Sequence, residues 1–585
     1  MSNYRNFKLV VYFVAGGVQS TTREKLEQDL AFFGKHMRLD KVYLEPYRSI
    51  FAEEKQVEMC KAVFEAHGIE VAGGITTTYD DQPGDEPKQR MYNTFCYNDP
   101  KMIAQLREVS AFLGSHFNEF IIDDFYFTNC TCEACRAGRD AYNAAHGITD
   151  GSWQAYRLDL MQRVSQEHMI APAKAANPNC SITIKYPNWA ESFQETGYNP
   201  AQQRTIFDNI YTGTETRDPF TTDQHLPRYL SYSLMTYFEN MWPGHNGGGW
   251  FDHYDLRIME QYLEQAYLTA FSKPKELMMF CFQSMVDTMN VPALGYQLDK
   301  LDAVLDHCGK PIGIPCYLPD NCQGEDNVQD FLGMVGLPVV CTPYFPKESP
   351  VMLLTRSSAC DPAIVDKLET YVAGGGRAVV THGFMEATMD RGIQRMTSIR
   401  MRGRKVLTAD FMVEQVRNVM HHRVMHFPSG SKPVLLSVPE YRNNATWALI
   451  KSVCGQENHG VLLHDTYGKG QLYTLTVPEA FSDLYNLPAE VLTRIRAEFP
   501  VGGVYLEAGP QISLFVYDND TFIVYPYVDE GRRPSTIRIH VLGKVKALKL
   551  PVLGRELQPL YTDAAETVFE VRAEPGQYML YQVVR

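Results

Sequence analysis

The sequence predicts an α/β fold: a (β/α)8 barrel over residues 1–310, a flavodoxin-like α/β domain over 311–480 and a C-terminal antiparallel β-sandwich over 481–585. Three observations carry this. Short apolar runs alternate with amphipathic helical stretches eight times in the first half of the chain, the pattern of parallel strands joined by crossover helices. A second, shorter set of alternations begins at Pro311. From Val501 the pattern changes to period two, as in ISLFVYDNDTFIVYPYV and IRIHVLGKVKALKLPVL, which reads as antiparallel strands. A chain of 585 residues also exceeds what one core organises, so several domains are required.

Residues 7–17, FKLVVYFVAGG, read as the first strand, and Thr21–Met37 as an amphipathic helix with a threonine cap. Leu39–Tyr47 is the second strand, followed by a helix, Phe51–His67, that Gly68 closes. Ile69–Thr77 is the third strand; a polar loop, Tyr79–Gln89, then leads to a helix over Pro100–Phe117. The fourth strand opens Glu119–Cys135, EFIIDDFYFTNCTCEAC, where a short apolar run ends in two adjacent carboxylates. A helix over Gly151–Ala176 precedes the fifth strand, Cys180–Tyr186, and Thr205–Tyr211 is the sixth. Two readings compete for the seventh. Either it lies in Tyr229–Trp242 and ends at Glu239, or that stretch is a helix and the strand is Gly248–Asp252. The long Leu226–Met241 run, the Pro-Gly after it and the glycine-rich entry to Trp250 favour the second. Leu256–Phe271 is a helix, Glu276–Phe282 the eighth strand and Gly295–Cys308 the last helix of the barrel. A doubly wound open sheet is the alternative, but Gly16–Gly17 is not a GxGxxG fingerprint. Further on, Pro362–Ala373 reads as a helix ending in Gly374–Gly376 before a strand at 377–381; glycines at a helix end are a C-cap rather than a phosphate loop.

The net charge of -14 argues against a nucleic-acid or anionic-membrane partner and for a neutral or cationic substrate. No segment reaches the ~18–20 apolar residues that cross a bilayer. The N-terminus lacks the basic region, apolar core and cleavage site of a signal peptide. A cytoplasmic setting is therefore expected, or a periplasmic or secreted one if a leader has been removed. The 13 cysteines, an odd number in a long chain, read as reduced thiols.

Chemistry in such a barrel sits at the carboxyl ends of the strands. Those ends offer Glu45 and Tyr47, Asp123 and Asp124, Lys185, Tyr186 and Trp189, Glu215, Arg217 and Asp218, Trp250 and Asp252, and Gln283. Carboxylates recur among aromatics, and no Ser–His or Cys–His pairing is present there. Paired carboxyls beside aromatic platforms are what glycosidic bond cleavage needs: one acid protonates the leaving oxygen, and the other attacks or activates water. The expected catalytic pair is Asp124 and Glu215, with Asp252 the alternative partner. Glu45, Tyr47, Asp123, Lys185, Trp189, Arg217, Trp250 and Gln283 are expected to bind substrate. Adjacent strand residues point opposite ways, so one of Asp123 and Asp124 is expected to face the barrel and the other to cap or brace. The plainer readings are a salt bridge from Asp124 to Arg217, a helix cap at Asp252 and core packing for Trp189 and Trp250. Glu239 becomes the nucleophile only if its stretch is a strand. Cys130, Cys132 and Cys135 form a CxCxxC that could hold a structural zinc with Cys96, but such sites take four ligands and only three cluster in sequence, so no cofactor is expected.

A barrel, then a small α/β domain carrying VDKLETYVAGGGRAVVTHGF, then a terminal β-sandwich is a specific order. It resembles the β-galactosidase-type glycoside hydrolases of family 42 and related trimeric families such as 164, and residues 364–384 look like the helix–GGG–strand unit of their trimerisation domain. The resulting expectation is an exo-acting, retaining glycoside hydrolase with a carbohydrate substrate, assembled as a homo-oligomer, a trimer by resemblance. Some family-42 enzymes resemble this chain in carrying a cysteine zinc site. Those families place an Asn-Glu acid/base after strand four and a Glu nucleophile after strand seven, where this chain has Asp123-Asp124 and Asp252. A strand-four Asp is also similar to the nucleophile position of retaining α-galactosidases, whose acid lies on strand six, where this chain has Glu215. The rivals are a metal-dependent barrel hydrolase or lyase with Asp123 and Asp124 as ligands, against which the scarcity of His at strand ends speaks, and a non-catalytic carbohydrate-binding or scaffold protein.

Overall fold

A computed structural model describes residues 3–81, 90–415, 423–428, 432–529 and 532–585. It divides into two units, residues 1–225 with 241–306, and residues 226–240 with 307–585.

In the first unit eight parallel strands close on themselves. They are β1 (Lys8–Phe13), β2 (Lys41–Arg48), β3 (Glu70–Thr76), β4 (Glu119–Ile122), β5 (Ser181–Tyr186), β6 (Asn209–Gly213), β7 (Asn246–Asp252) and β8 (Glu276–Phe280). β1 pairs with both β2 and β8, which closes the ring as the expected barrel. The strands are apolar and buried almost end to end because both faces are covered. Val10, Tyr12, Tyr43, Ala72, Ile121, Tyr211, Trp250 and Met278 make one interior cluster. Residues two apart on a strand share a face. The same inward register therefore carries Glu45 beyond Tyr43, Asp123 beyond Ile121 and Lys185 beyond Thr183 to the carboxyl mouth. At the amino end it carries Lys41, whose Nζ meets Glu119 at 2.8 Å and Glu276 at 3.1 Å.

Thr22 caps the helix Arg23–Gly34, accepting from the Lys25 amide at 3.2 Å, and Gly68, at φ +73°, follows the helix Glu54–Ala66. The seventh strand is β7, and Leu230–Met241 is a helix on which Glu239 is exposed. Three expectations are corrected. The sixth strand runs Asn209–Gly213 rather than Thr205–Tyr211, because Asn199 caps a helical turn at Pro200–Gln203 that consumes the residues after it. The stretch after β4 holds a polar helix, Glu133–His146, whose first turn contains Cys135. The helix expected at Gly151–Ala176 starts at Gln154 and passes through a π segment, Ser165–Ile170, before Ala171–Ala176. The loop expected at Tyr79–Gln89 lies mostly outside the described residues.

In the second unit the parallel strands Val339–Thr342, Ile314–Tyr317, Val351–Leu354, Arg377–Thr381 and Gly470–Leu475 lie in that order. The helix Ile364–Ala373, Gly375 at φ +116° and the strand Arg377–Thr381 make the helix–glycine–strand unit. The sheet is not wholly parallel as a flavodoxin-like layout requires. Glu457–Tyr467, Trp447–Cys454, Asp410–Gln415 and Arg423–Pro428 extend it antiparallel. Two-residue connections that start at Gly455 (φ +61°) and Gly468 (φ +59°) are too short for a parallel crossover. Tyr229 and Asn240, from the 226–240 segment, donate to the carbonyls of Val339 and Cys341, each at 2.8 Å. After a helix at Ala489–Glu498 the chain forms two antiparallel sheets, one around Ser535–Leu542 and Glu566–Ala573, the other around Ile512–Tyr517, Thr521–Pro526 and Met579–Val584.

Candidate active site

The loops beyond the barrel strands surround a cavity of about 620 Å³, within the range of small-molecule sites. Its floor is Trp250, stacked on Phe280 with ring centres 5.0 Å apart and backed by Tyr12. Met91, Tyr92, Phe125, Trp189 and Tyr254 stand around it, with Asp223 and Asp255 exposed at the rim.

Three cations organise the acids in this cavity. Lys185 rises from β5 over the Trp250 ring, 4.3 Å from its centre. Its Nζ donates to Asp124 Oδ2 at 2.7 Å and Glu215 Oε1 at 3.0 Å, with Asp123 Oδ1 at 3.6 Å. Burial works against its charge, but the three carboxylates outweigh burial and hold it above the ordinary lysine range. Arg48, at the end of β2, gives Nη2 to Asp123 Oδ2 at 2.8 Å and Nε to Glu45 Oε2 at 3.0 Å. Arg217 grips Asp252 with Nε and Nη2, the closest contact 2.6 Å. Arg217 itself takes a left-handed backbone, φ +52°, which a side chain tolerates only where surrounding contacts hold it.

The two adjacent acids are set apart by these contacts. Burial pushes the Asp123 carboxyl up, but Lys185 and Arg48 overcome it and hold it at about 2. Burial pushes Asp124 up to about 8; Lys185 opposes this, and the charges of Asp123 and Glu215 add to it. Asp124 still keeps 16% of its side-chain surface open. Glu215 is held at its carbonyl by Asn188 Nδ2 at 2.6 Å, and its Oε2 has no hydrogen-bond partner among the described residues. Gly213 leaves that oxygen its space, since a Cβ there would come within 2.9 Å of it.

Eight of the residues expected at the site share the cavity: Asp123, Asp124, Lys185, Trp189, Glu215, Arg217, Trp250 and Asp252. Three others expected to bind substrate do not line it. Glu45 is fully buried beneath it, bonded by Tyr12, Ala15, Thr76 and Arg48. Tyr47 turns its hydroxyl to the Thr78 carbonyl at 3.0 Å and packs on Phe51 and Phe95. Gln283 lies against Gly17. The rule that one acid of the pair must face away is also corrected. β4 ends at Ile122, and the turn that follows brings Asp124 as well as Asp123 to Lys185. Sequence reasoning missed Arg48, which stands directly after Tyr47, and Tyr198, whose hydroxyl donates to the Asp124 carbonyl at 2.6 Å. Their only signal was a position at or beyond a strand end.

Cys96, Cys130, Cys132 and Cys135 bring four sulfurs within 4.8 Å of one another. Cys96 lies 3.7 Å from Cys132 and 3.5 Å from Cys135, and Cys132 lies 3.6 Å from Cys135. Four sulfurs placed tetrahedrally at ~2.3 Å from zinc would stand ~3.8 Å apart, so the set fits that ion. The fourth cysteine, Cys96, which the sequence could not bring near the other three, arrives from the segment before the helix Pro100–His116.

Residues 1–300 match the family "Probable glycosyl hydrolase, catalytic domain", 309–480 match "Uncharacterized protein SSO3021, second domain", and 503–583 match "Probable glycosyl hydrolase, C-terminal domain". The uncharacterized protein SSO3021 of Saccharolobus solfataricus is 24% identical over 536 residues, 84% of this chain and 86% of that protein. Among solved structures, Gan42B, a GH42 β-galactosidase from G. stearothermophilus, superposes with a TM-score of 0.64 at 13% identity over 100% of both chains. Alpha-L-fucosidase isoenzyme 2 from Paenibacillus thiaminolyticus does so with a TM-score of 0.64 at 11% identity over 99% of both. At such identities the likeness is one of fold. The first family spans just over half of the chain, and the chain therefore belongs to the probable glycosyl hydrolases: it is a glycoside hydrolase with the architecture of the GH42 enzymes.

Proposed function

We propose that this glycoside hydrolase is exo-acting and retaining, with Asp124 as acid/base and Glu215 as nucleophile. One observation carries the reading: a single ammonium, Lys185 Nζ, lies within 3.0 Å of both carboxyls. The two bonded oxygens are then less than about 6 Å apart, which suits the ~5–5.5 Å of retention and not the ~6.5–9.5 Å of inversion. Asp124 gives its proton to the glycosidic oxygen as the bond to the anomeric carbon breaks, and Glu215 attacks that carbon to form a glycosyl ester. Asp124, now ionised, takes a proton from water, which attacks the same carbon and releases Glu215. A cavity floored by Trp250 and Phe280 supports attack at a chain end. Among the described residues, each of the three lining cations is already engaged by an enzyme carboxylate, which supports an uncharged sugar over a uronic or sialic acid.

A panel of 4-nitrophenyl glycosides, with the first product anomer followed by NMR, tests this. Retention is expected, and Asp124→Asn and Glu215→Gln should each lose about 100- to 10,000-fold in turnover. Azide should rescue Asp124→Asn with a retained glycosyl azide and Glu215→Gln with an inverted one. Inversion by the native enzyme, or full turnover by both variants, would refute the assignment. Loss on Asp252→Asn but not on Glu215→Gln would make Asp252 the nucleophile.

We further propose that the four-cysteine set holds a structural zinc that ties the loop after β4 to the segment before Pro100; its fit to four thiolates supports this over a metal-free loop. A homotrimer is the assembly the resemblance to trimeric families favours. A cytoplasmic setting is favoured by 13 cysteines of which none is in a disulfide.

A further inference from the structure

Asp123 was expected to touch substrate. Its surroundings give it a different role. Its Oδ1 accepts the backbone N–H of Asp124 at 2.8 Å. Its Oδ2 accepts Arg48 Nη2 at 2.8 Å and the Thr76 hydroxyl at 3.0 Å. Its side chain is 3% exposed. Both oxygens are thus occupied by protein donors, which leaves little capacity for a sugar hydroxyl. Arg48 is in turn fixed from behind by Glu45, which is fully buried and takes further bonds from Tyr12 and the Ala15 amide at 2.6 and 2.9 Å. The carboxylate of Asp123 is therefore held as an anion by groups that do not change during a catalytic cycle.

We propose that the Glu45–Arg48–Asp123 chain is a positioning device that keeps a fixed negative charge beside Asp124 and so places the one mobile proton of the site on Asp124. This rests on the reading of Asp124 as the acid/base. Lys185 faces Asp124 from β5, and Glu215 lies across that ammonium on the loop after β6. Tyr198 holds its carbonyl, and Arg217, further off, is committed to Asp252. Lys185 is shared by three carboxyls, so its single charge does not neutralise them all. In this buried cluster two cations, Arg48 and Lys185, face four carboxyls, Glu45, Asp123, Asp124 and Glu215. A desolvated site with more carboxyls than cations keeps a proton. Of the two neighbouring acids, Asp123 accepts three hydrogen bonds, one of them from the arginine, and Asp124 has the lysine it shares; the proton therefore sits on Asp124.

The test is the pH profile of kcat/KM on the 4-nitrophenyl glycoside that the native enzyme cleaves fastest, with folding checked by circular dichroism. Asp123→Asn keeps the volume and removes the fixed charge. It should move the alkaline limb, where the acid ionises, down by about 1–2 pH units, the size of a close like-charge effect. Arg48→Lys should leave that limb in place. Arg48→Gln removes a cation from the coupled pair and should move the limb up with lower kcat. A role for Asp123 in substrate binding alone would instead raise KM with the limb unmoved, and that result would overturn the proposal. If Asp123→Asn does not fold, the two Arg48 variants decide: an unmoved limb in Arg48→Gln overturns it equally. Full activity of Asp124→Asn would be a different failure, that of the acid/base reading itself.

Discussion

Lysines clamp carboxylate pairs at both ends of this barrel, and exchanging each for methionine separates catalysis from stability. Lys185 Nζ holds Asp124 and Glu215 at 2.7 and 3.0 Å; Lys41 Nζ holds Glu119 and Glu276 at 2.8 and 3.1 Å. The chemistry and burial are alike, with both lysine side chains at most 2% exposed. At ~3 Å and an effective dielectric near 20, unit charges attract by about 5 kcal/mol. Relaxation and water entry reduce what is observed, so removing the ammonium should raise the facing carboxyl by about 1–3 pH units. In Lys185→Met the carboxyl that must be ionised is Glu215. The acid limb of kcat/KM should therefore move to higher pH, and turnover at pH 6 should fall by about 10-fold or more. Breaking a buried pair also costs about 3–5 kcal/mol of stability, partly offset as the stranded acids take up protons. Lys41→Met should show that thermal loss with the limb unmoved, because its carboxyls lie at the amino end, away from the cavity. The assays are pH–rate profiles and thermal melts of both variants beside the native chain. An unmoved limb in Lys185→Met, or equal movement in both, would refute the assignment of Lys185 to the catalytic pair.

Asp124 titrates near 8 in the folded chain and near 3.9 when unfolded, so its contribution to stability is full below about pH 4 and is lost as pH rises through 8. Asp124→Asn should therefore melt above the native protein at pH 8, with the gap closing toward pH 4; a gap that does not depend on pH would contradict the raised carboxyl. For the cysteine set, elemental analysis of protein grown with zinc should find about one ion per native chain and far less in Cys96→Ser, with a lower melting temperature in the variant. A native chain that takes up no zinc on reconstitution would discard the site.

Much of this was legible before folding. Eight alternations of strand and helix are a local pattern, and local pattern is what sequence reports well; the same is true of Thr22, Gly68 and Gly375 at helix ends. Burial on both faces makes the barrel strands nearly uniform apolar runs, so the acids that interrupt them stood out as candidates. The short hairpins at Gly455 and Gly468 were equally local but carried no warning that they would turn a parallel sheet antiparallel. The polar helix Glu133–His146 escaped because it buries only Cys135 and Asn143.

EFIIDDFYFTNCTCEAC, read as a strand end with two acids, determined by itself that carboxylates would face the barrel mouth. Tertiary structure decided what each of them does. The turn after Ile122 brings both acids to one lysine from β5, which the period-two rule for strands forbids only while the strand continues. Lys185 from β5 and Arg48 from β2 together hold Asp123 as an anion and so leave the proton with Asp124; no spacing within β4 encodes that choice. Cys96 joins the CxCxxC from more than thirty residues upstream for the same reason. Residue types and strand ends are properties of a segment, whereas charge partners are set by closure of the barrel, which places side chains from distant segments within 3 Å.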